Sequence, residues 1–450
     1  MNTERVMKLR FLCCALAACG ALWAPTPARA QDAGTMRTQS FNSADSIGQA
    51  VKARRLEVGG YGEAVMQRML YSDSPSRYSY PERYTNARHG RADLPHVIVY
   101  IGYDFGRGWK LGSEIEFEHG GTGAAYEVER TEAEEYETEI EKGGEVAIEQ
   151  FWIEKSFAPY ANLRMGHVIV PVGRTNQYHF PTEFFTVLRP EEESTILPCT
   201  WHETGISFWG RAGQWRYEGL FVAGLDAERF SDAEWIGGGG RSPYEFKIAN
   251  HYAGAVRIDN YSVRGLRIGA SGYYGYSVNN SLKPQRYANA GIKGIVGIVS
   301  MDAEYDGRHV LARGSVVYGN LGGSKDISAV NKRFPSASPS PRTDVAAEAL
   351  SYYVEAGYDV LSFFSKRRYR DNRLYVYGHY GYYDSMYRTA EGITDKPWCE
   401  RRIMGAGINY FPMKGLVVKA EYMLRKLAAG YNDEPTVSIG VGYAGFFNQE

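Results

Sequence analysis

Hydrophobic and polar residues alternate along most of this chain, in stretches of about ten residues. From Leu416 the apolar set is Leu416, Val418, Ala420, Tyr422 and Leu424, interleaved with Lys419, Glu421 and Arg425. Leu111, Ile115 and Phe117 alternate with Lys110, Glu114 and Glu116. Leu266, Ile268, Ala270 and Tyr274 alternate with Arg267 and Ser271, and Val437, Ile439, Val441 and Tyr443 with Thr436, Ser438 and Gly440. A strand turns successive side chains to opposite faces, so period two predicts strands with one apolar and one polar face. Sixteen such segments begin near Leu56, Pro95, Trp109, Glu145, Leu163, Thr200, Gln214, Ile248, Gly265, Gly294, His309, Ala347, Arg373, Glu400, Leu416 and Pro435. The first, fourth and twelfth are the least regular.

The connections sort by parity. Short turns fall at Gly106–Gly108, Arg211–Gly213, around Asn260, at Asp306–Arg308 and at Pro412–Gly415. Long connections fall between them: Gln67–Leu94, His119–Gly144, Val172–Cys199, Asp226–Lys247, Asn320–Val345 and Asp384–Cys399. A sheet in lipid must close so that every backbone group is paired. An even number of antiparallel strands then puts short turns at one end and long loops at the other. Two soluble sandwiches would also alternate, but their connections would not sort this way. The expected fold is all-β: a closed transmembrane antiparallel barrel of about 16 strands, with short periplasmic turns and long outer loops.

Composition narrows the class further. Gly at 51 and Tyr at 35 of 450 residues, with 14% aromatic, suit strands and turns rather than a helical enzyme or a disordered chain. The formal net charge of −1 offers no basic domain for nucleic acid. Arg5, Lys8 and Arg10, then the apolar run Phe11 to Trp23, then Ala28-Arg29-Ala30 read as a cleaved export signal over residues 1–30. Leu16-Ala17-Ala18-Cys19 is a rival lipoprotein box. Cleavage after Ala30 takes the net charge to about −4, leaves residues 31–54 as a short periplasmic segment, and keeps only Cys199 and Cys399. Two cysteines so far apart form no disulfide framework and no metal cluster.

Three stretches carry a family likeness. Gly407-Ile408-Asn409-Tyr410-Phe411-Pro412, followed by Leu416 to Tyr422, resembles the penultimate hairpin of the phosphate-selective porin O/P-like family. Leu56 to Glu63 resembles that family's first strand, and Leu163 to Gly173 its fifth strand running into the third loop. The resemblance implies a sixteen-stranded porin in a Gram-negative outer membrane, a homotrimer, with lipid and lipopolysaccharide around it and small solutes or ions inside. It also implies that the third outer loop, 172–199, folds into the lumen. The family's basic ladder for anions is not matched cleanly. The chain also ends Phe446-Phe447-Asn448-Gln449-Glu450 rather than on an aromatic residue.

The chemistry-bearing residues are mostly charges. In the third long connection Arg174, Glu183, Arg189, Glu191, Glu192 and Glu193 are candidates for a pore constriction, where rings of charge set ion preference. The plainer alternative is a solvated loop. Glu114, Glu116, Arg257, Arg267, Arg313, Lys419, Glu421 and Arg425 are candidates for the pore wall, with Asp259 beside them. Their mixed signs suit a general channel. Glu127 to Glu145 forms an acidic second loop, read as a solvated charge run. Nine histidines are scattered, none in a two-His helical spacing; Gly237 to Gly240 lacks the Lys-Ser/Thr of a phosphate loop. No catalytic residue, metal ligand or cofactor is assigned. The expected function is passive diffusion, not catalysis; the alternatives are a barrel-borne enzyme and an adhesive barrel with acidic loops.

Overall fold

The computed structural model describes residues 55–121, 124–130, 136–142, 144–238, 248–281, 287, 290–333, 343–364 and 372–447. The export signal, the 31–54 segment and part of the glycine run lie outside them.

Sixteen strands close into one antiparallel barrel. In chain order they are β1 Leu56–Met69, β2 His96–Gly106, β3 Trp109–Glu118, β4 Glu145–Ala158, β5 Ala161–Ile169, β6 His202–Ala212, β7 Trp215–Ala223 and β8 Tyr252–Asn260. There follow β9 Leu266–Tyr276, β10 Ile295–Asp306, β11 Val310–Leu321, β12 Glu348–Asp359, β13 Arg373–Arg388, β14 Glu400–Met413, β15 Leu416–Lys426 and β16 Glu434–Phe446. Each pairs with its neighbour in sequence, and β16 closes on β1, with Gly59 opposite Phe446 and Met69 opposite Thr436. A short outer arm, His89–Asp93, extends β2 along the loop-end half of β1. Every expected segment is present.

The faces are inverted relative to a soluble protein. On β8, Val256 is 62% exposed and its neighbour Arg257 only 2%. On β15, Val418 and Tyr422 face out while Lys419 and Glu421 are buried inside. Water would favour the opposite arrangement; an apolar outer face and a polar interior are what hydrocarbon surroundings demand. Exposed aromatics gather at the short-turn end: Phe105, Trp109, Phe157, Tyr160, Trp215, Phe363 and Phe447. That band has the composition of an interfacial girdle.

Two connections depart from the expected pattern. The acidic stretch after β3 is a paired hairpin, Ala124–Arg130 against Tyr136–Lys142, rather than an irregular loop. Tyr126, Val128, Thr138 and Ile140 alternate there with charged residues, a short period-two signal that the acid run hides. On the short-turn side, the link from β12 to β13 spans 360–372 and is longer than the other turns.

Among the described residues, loop and strand side chains pack together at the loop end. Loop residues Leu225, Phe230, Trp235, Ile236, Tyr287, Ile327 and Val345 join inward strand residues such as Val222, Ala255, Val296 and Val317 in one buried apolar cluster. Ile327 lies on the helix Ser324–Asn331, which packs into this mouth. The lumen cavity lies toward β1, β2 and β13–β15, where Glu63, His96, His379, Ile403 and Glu421 line it.

Candidate pore constriction

The connection from β5 to β6 enters the barrel and stays there. Its neck is held by Val170 N–H donating to the Trp201 carbonyl at 2.9 Å. A tight turn follows, with the Gln177 and Tyr178 amides donating to the Arg174 carbonyl. Residues 184–188 then run across the barrel wall, and the wall supplies their partners. The Phe185 amide donates to Glu355 at 3.1 Å and the Val187 amide to Glu421 at 2.8 Å. Asn409 donates to the Phe185 carbonyl at 2.9 Å. A buried segment with no sheet neighbour must satisfy its backbone through side chains, and here strand side chains do so.

The short helix α1, Glu191–Ile196, opens with three acids, and each has a different task. Glu191 pairs with Arg425, lies 3.6 Å from Arg401 and accepts from Tyr383 at 2.7 Å. Burial pushes its carboxyl up, but the two guanidiniums override that and hold it below the usual range. Glu192 lies 2.8 Å from His379. Glu193 accepts from the Thr175 amide at 2.6 Å, tying the helix back to the turn. Two glycines make the approach possible: a Cβ at Gly381 would meet Glu192 Oε1 at 1.6 Å, and one at Gly173, whose φ is +80°, would meet Glu193 Oε1 at 2.3 Å.

A lumen cavity of about 320 Å³ remains beside this loop. Its lining includes Glu63, His96, Arg189, Glu191, Glu192, His379, Glu421 and Arg425. Three of the six expected constriction residues, Arg189, Glu191 and Glu192, are therefore at the cavity. The other three are not part of its lining. Arg174 is wholly buried, pairing with Glu304 and donating to the Glu183 carbonyl at 2.9 Å. Glu183 and Glu193 are buried inside the loop's own fold. Burial pushes the Glu183 carboxyl up to about 8, with the Glu304 carboxylate adding to it.

The wall charges divide in the same way. Glu421 and Arg425 reach the cavity. Arg257 and Arg267 are bound into a lattice with Asp259 and Asp302, with Arg257 to Asp259 at 2.7 Å and to Asp302 at 2.9 Å. Arg313 sits 3.4 Å from Glu355 and 3.3 Å from Glu304. Lys419 donates to the Phe184 and Thr186 carbonyls. These groups fasten the loop and fill the lumen rather than lining the cavity.

Glu114 and Glu116 face inward on β3, beside residues to which sequence reasoning assigned no role. Glu114 meets Glu149 and His179, and Glu116 meets His96 and Glu118; each trio has donor atoms within 4.8 Å of one another. Both trios are candidate cation sites that the sequence alone did not bring together. A signal was present: Glu149 and Gln150 are consecutive polar residues in the fourth stretch, one of the three least regular. Neither Cys199 nor Cys399 is in a disulfide.

The class this architecture defines is a closed sixteen-strand antiparallel barrel with an apolar outer face and an in-folded loop. The sequence is 28% identical over 381 residues to a protein of Aquifex aeolicus (strain VF5) described as uncharacterized; the alignment covers 82% of this chain and 75% of that one. No family model matches, the phosphate-selective porin O/P-like family included. Among solved structures, an anion-selective porin from Comamonas acidovorans aligns over 87% of this chain and 99% of its own, with TM-score 0.49 and 11% identity. The outer membrane channel DcaP of Acinetobacter baumannii aligns over 87% and 97%, with TM-score 0.49 and 10% identity.

Proposed function

We propose that this protein is an outer-membrane channel for passive diffusion of small hydrophilic solutes or ions, with a mild preference for cations and no catalytic activity. The observation that carries the reading is the cavity beside the in-folded loop. Its lining sets four carboxylates, Glu63, Glu191, Glu192 and Glu421, against two guanidiniums, Arg189 and Arg425. Charge at a narrowing sets ion preference, and little water is left there to screen it. The packed loop end leaves a narrow route, so the conductance is small for a barrel of this size. Export by the N-terminal signal, a homotrimeric assembly and short turns facing the periplasm complete the proposal.

Planar-bilayer recording of the purified protein tests it. Discrete conductance steps with a reversal potential on the cation side of zero in a KCl gradient are expected. Absence of steps, or an anion-side reversal potential, would reject the reading.

A further inference from the structure

We propose that Glu114, Glu149 and His179 form a binding site for one divalent transition-metal ion of the zinc class inside the barrel. The three residues come from β3, β4 and the turn of the in-folded loop, and all are at least nine-tenths buried. Each has one polar atom on a fixed partner, and Glu149 also lies within reach of the Thr200 side chain. Glu114 Oε2 accepts from Gln150 at 2.7 Å, and Glu149 Oε2 accepts from the Tyr61 hydroxyl at 2.9 Å. His179 Nδ1 lies 3.0 Å from the Asn176 carbonyl, which can only accept. The proton therefore sits on Nδ1 and the lone pair on Nε2. Glu114 Oε1, Glu149 Oε1 and His179 Nε2 have no hydrogen-bond partner.

Three buried lone-pair donors facing one another need a cation or a proton between them. His179 Nε2 and Glu149 Oε1 are 3.7 Å apart. Donors on a tetrahedral zinc ion, with bonds of about 2.1 Å, stand about 3.4 Å from one another, so a small inward movement would complete the set. One imidazole and two carboxylates suit a borderline ion better than calcium or magnesium. The partners of the second atoms, Gln150, Tyr61 and Asn176, are the outer-shell contacts that hold metal ligands in place.

The backbone is built toward the same point. The register of β3 on β4 slips between Glu114 opposite Gln150 and Ile115 opposite Ile148, so Glu149 is an extra, bulged residue. A bulge re-aims a side chain, and this one turns Glu149 inward beside Gln150 where strict alternation would turn it to the outer face. A row of carboxylates on β3 points from the cavity side toward the site. Glu118, Glu116 and Glu114 alternate on its inner face, His96 contacts Glu116 at 2.7 Å, and His96 also lines the lumen cavity.

The test uses the full-length protein purified in detergent, stripped with chelator and titrated with zinc chloride in excess magnesium. It reads binding rather than conduction, so its outcome is independent of the channel reading. One zinc per chain is expected, with an X-ray absorption edge showing a single imidazole nitrogen among oxygens. Glu149→Gln and His179→Gln should each weaken binding at least about tenfold. No zinc above buffer level, oxygen-only coordination, or binding unchanged in both variants would overturn the site and leave a shared proton as its occupant. If the variants fail to assemble, His96→Gln decides: zinc retained with a single imidazole keeps the site, and zinc lost from that variant removes it in favour of the His96 trio.

Discussion

Lys419 donates to the carbonyl of Phe184 at 2.9 Å and stands 4.0 Å over the ring of that same residue. Its second bond, to the Thr186 carbonyl at 2.7 Å, makes it a clamp on the in-folded loop. Lys419→Met keeps the stem but removes both bonds, and a hydrogen bond contributes about 0.5–1.5 kcal/mol net. The variant should unfold at lower temperature and show a larger, noisier single-channel conductance. An unchanged current trace would mean that the loop is held without this clamp.

Selectivity should follow Glu191 and not Glu183. Glu191 is held ionised at neutral pH by Arg425 and Arg401 and lines the cavity. Glu191→Gln should move the reversal potential toward anions, and the shift should shrink as salt shortens the screening length, about 10 Å at roughly 0.1 M. Glu183→Gln should leave the reversal potential at pH 7 where it was, because Glu183 is buried away from the cavity and largely protonated there. A shift from Glu183→Gln equal to that from Glu191→Gln would contradict this assignment.

Glu183 also gives a pH signature of stability. Its folded value of about 8 lies above the ordinary carboxyl value of 4.5. Between those two values the folded state holds the extra proton, so stability falls as pH rises through that window. Wild type should lose stability relative to Glu183→Gln between pH 5 and 8, read from denaturant unfolding in detergent at a series of pH values. A flat difference across the window would exclude a raised Glu183.

Val418 and Glu421 separate the two faces of β15. Val418 is 47% exposed on the outer surface, whereas Glu421 accepts from Tyr377 inside at 2.8 Å. Arg at a lipid-facing midplane position costs about 2–4 kcal/mol. Val418→Arg should reduce the heat-modifiable folded band in membranes; Glu421→Gln should assemble at the wild-type level. Equal folded yield for both would refute the lipid-facing assignment of Val418.

Strand number, strand faces and the closed antiparallel arrangement were legible in the amino-acid order, because side-chain direction on a strand is a local property with period two. Leu416 to Leu424 states which face each residue takes without reference to any distant part of the chain. The parity of loop lengths carried the closure for the same reason. What Arg174, Glu183, Glu193 and Lys419 touch was not legible. Glu304 and Phe184, the partners of Arg174 and Lys419, lie on other elements, while Glu183 and Glu193 are enclosed by turns of their own loop, and only the path of that loop across the lumen brings these groups together. The same holds for Glu114, Glu149 and His179. Three separate segments meet there, and a one-residue bulge decides that Glu149 points in. In sequence that bulge shows only as a break in the alternation; its position depends on which residue of β3 stands opposite, a relation that exists only once the barrel has closed.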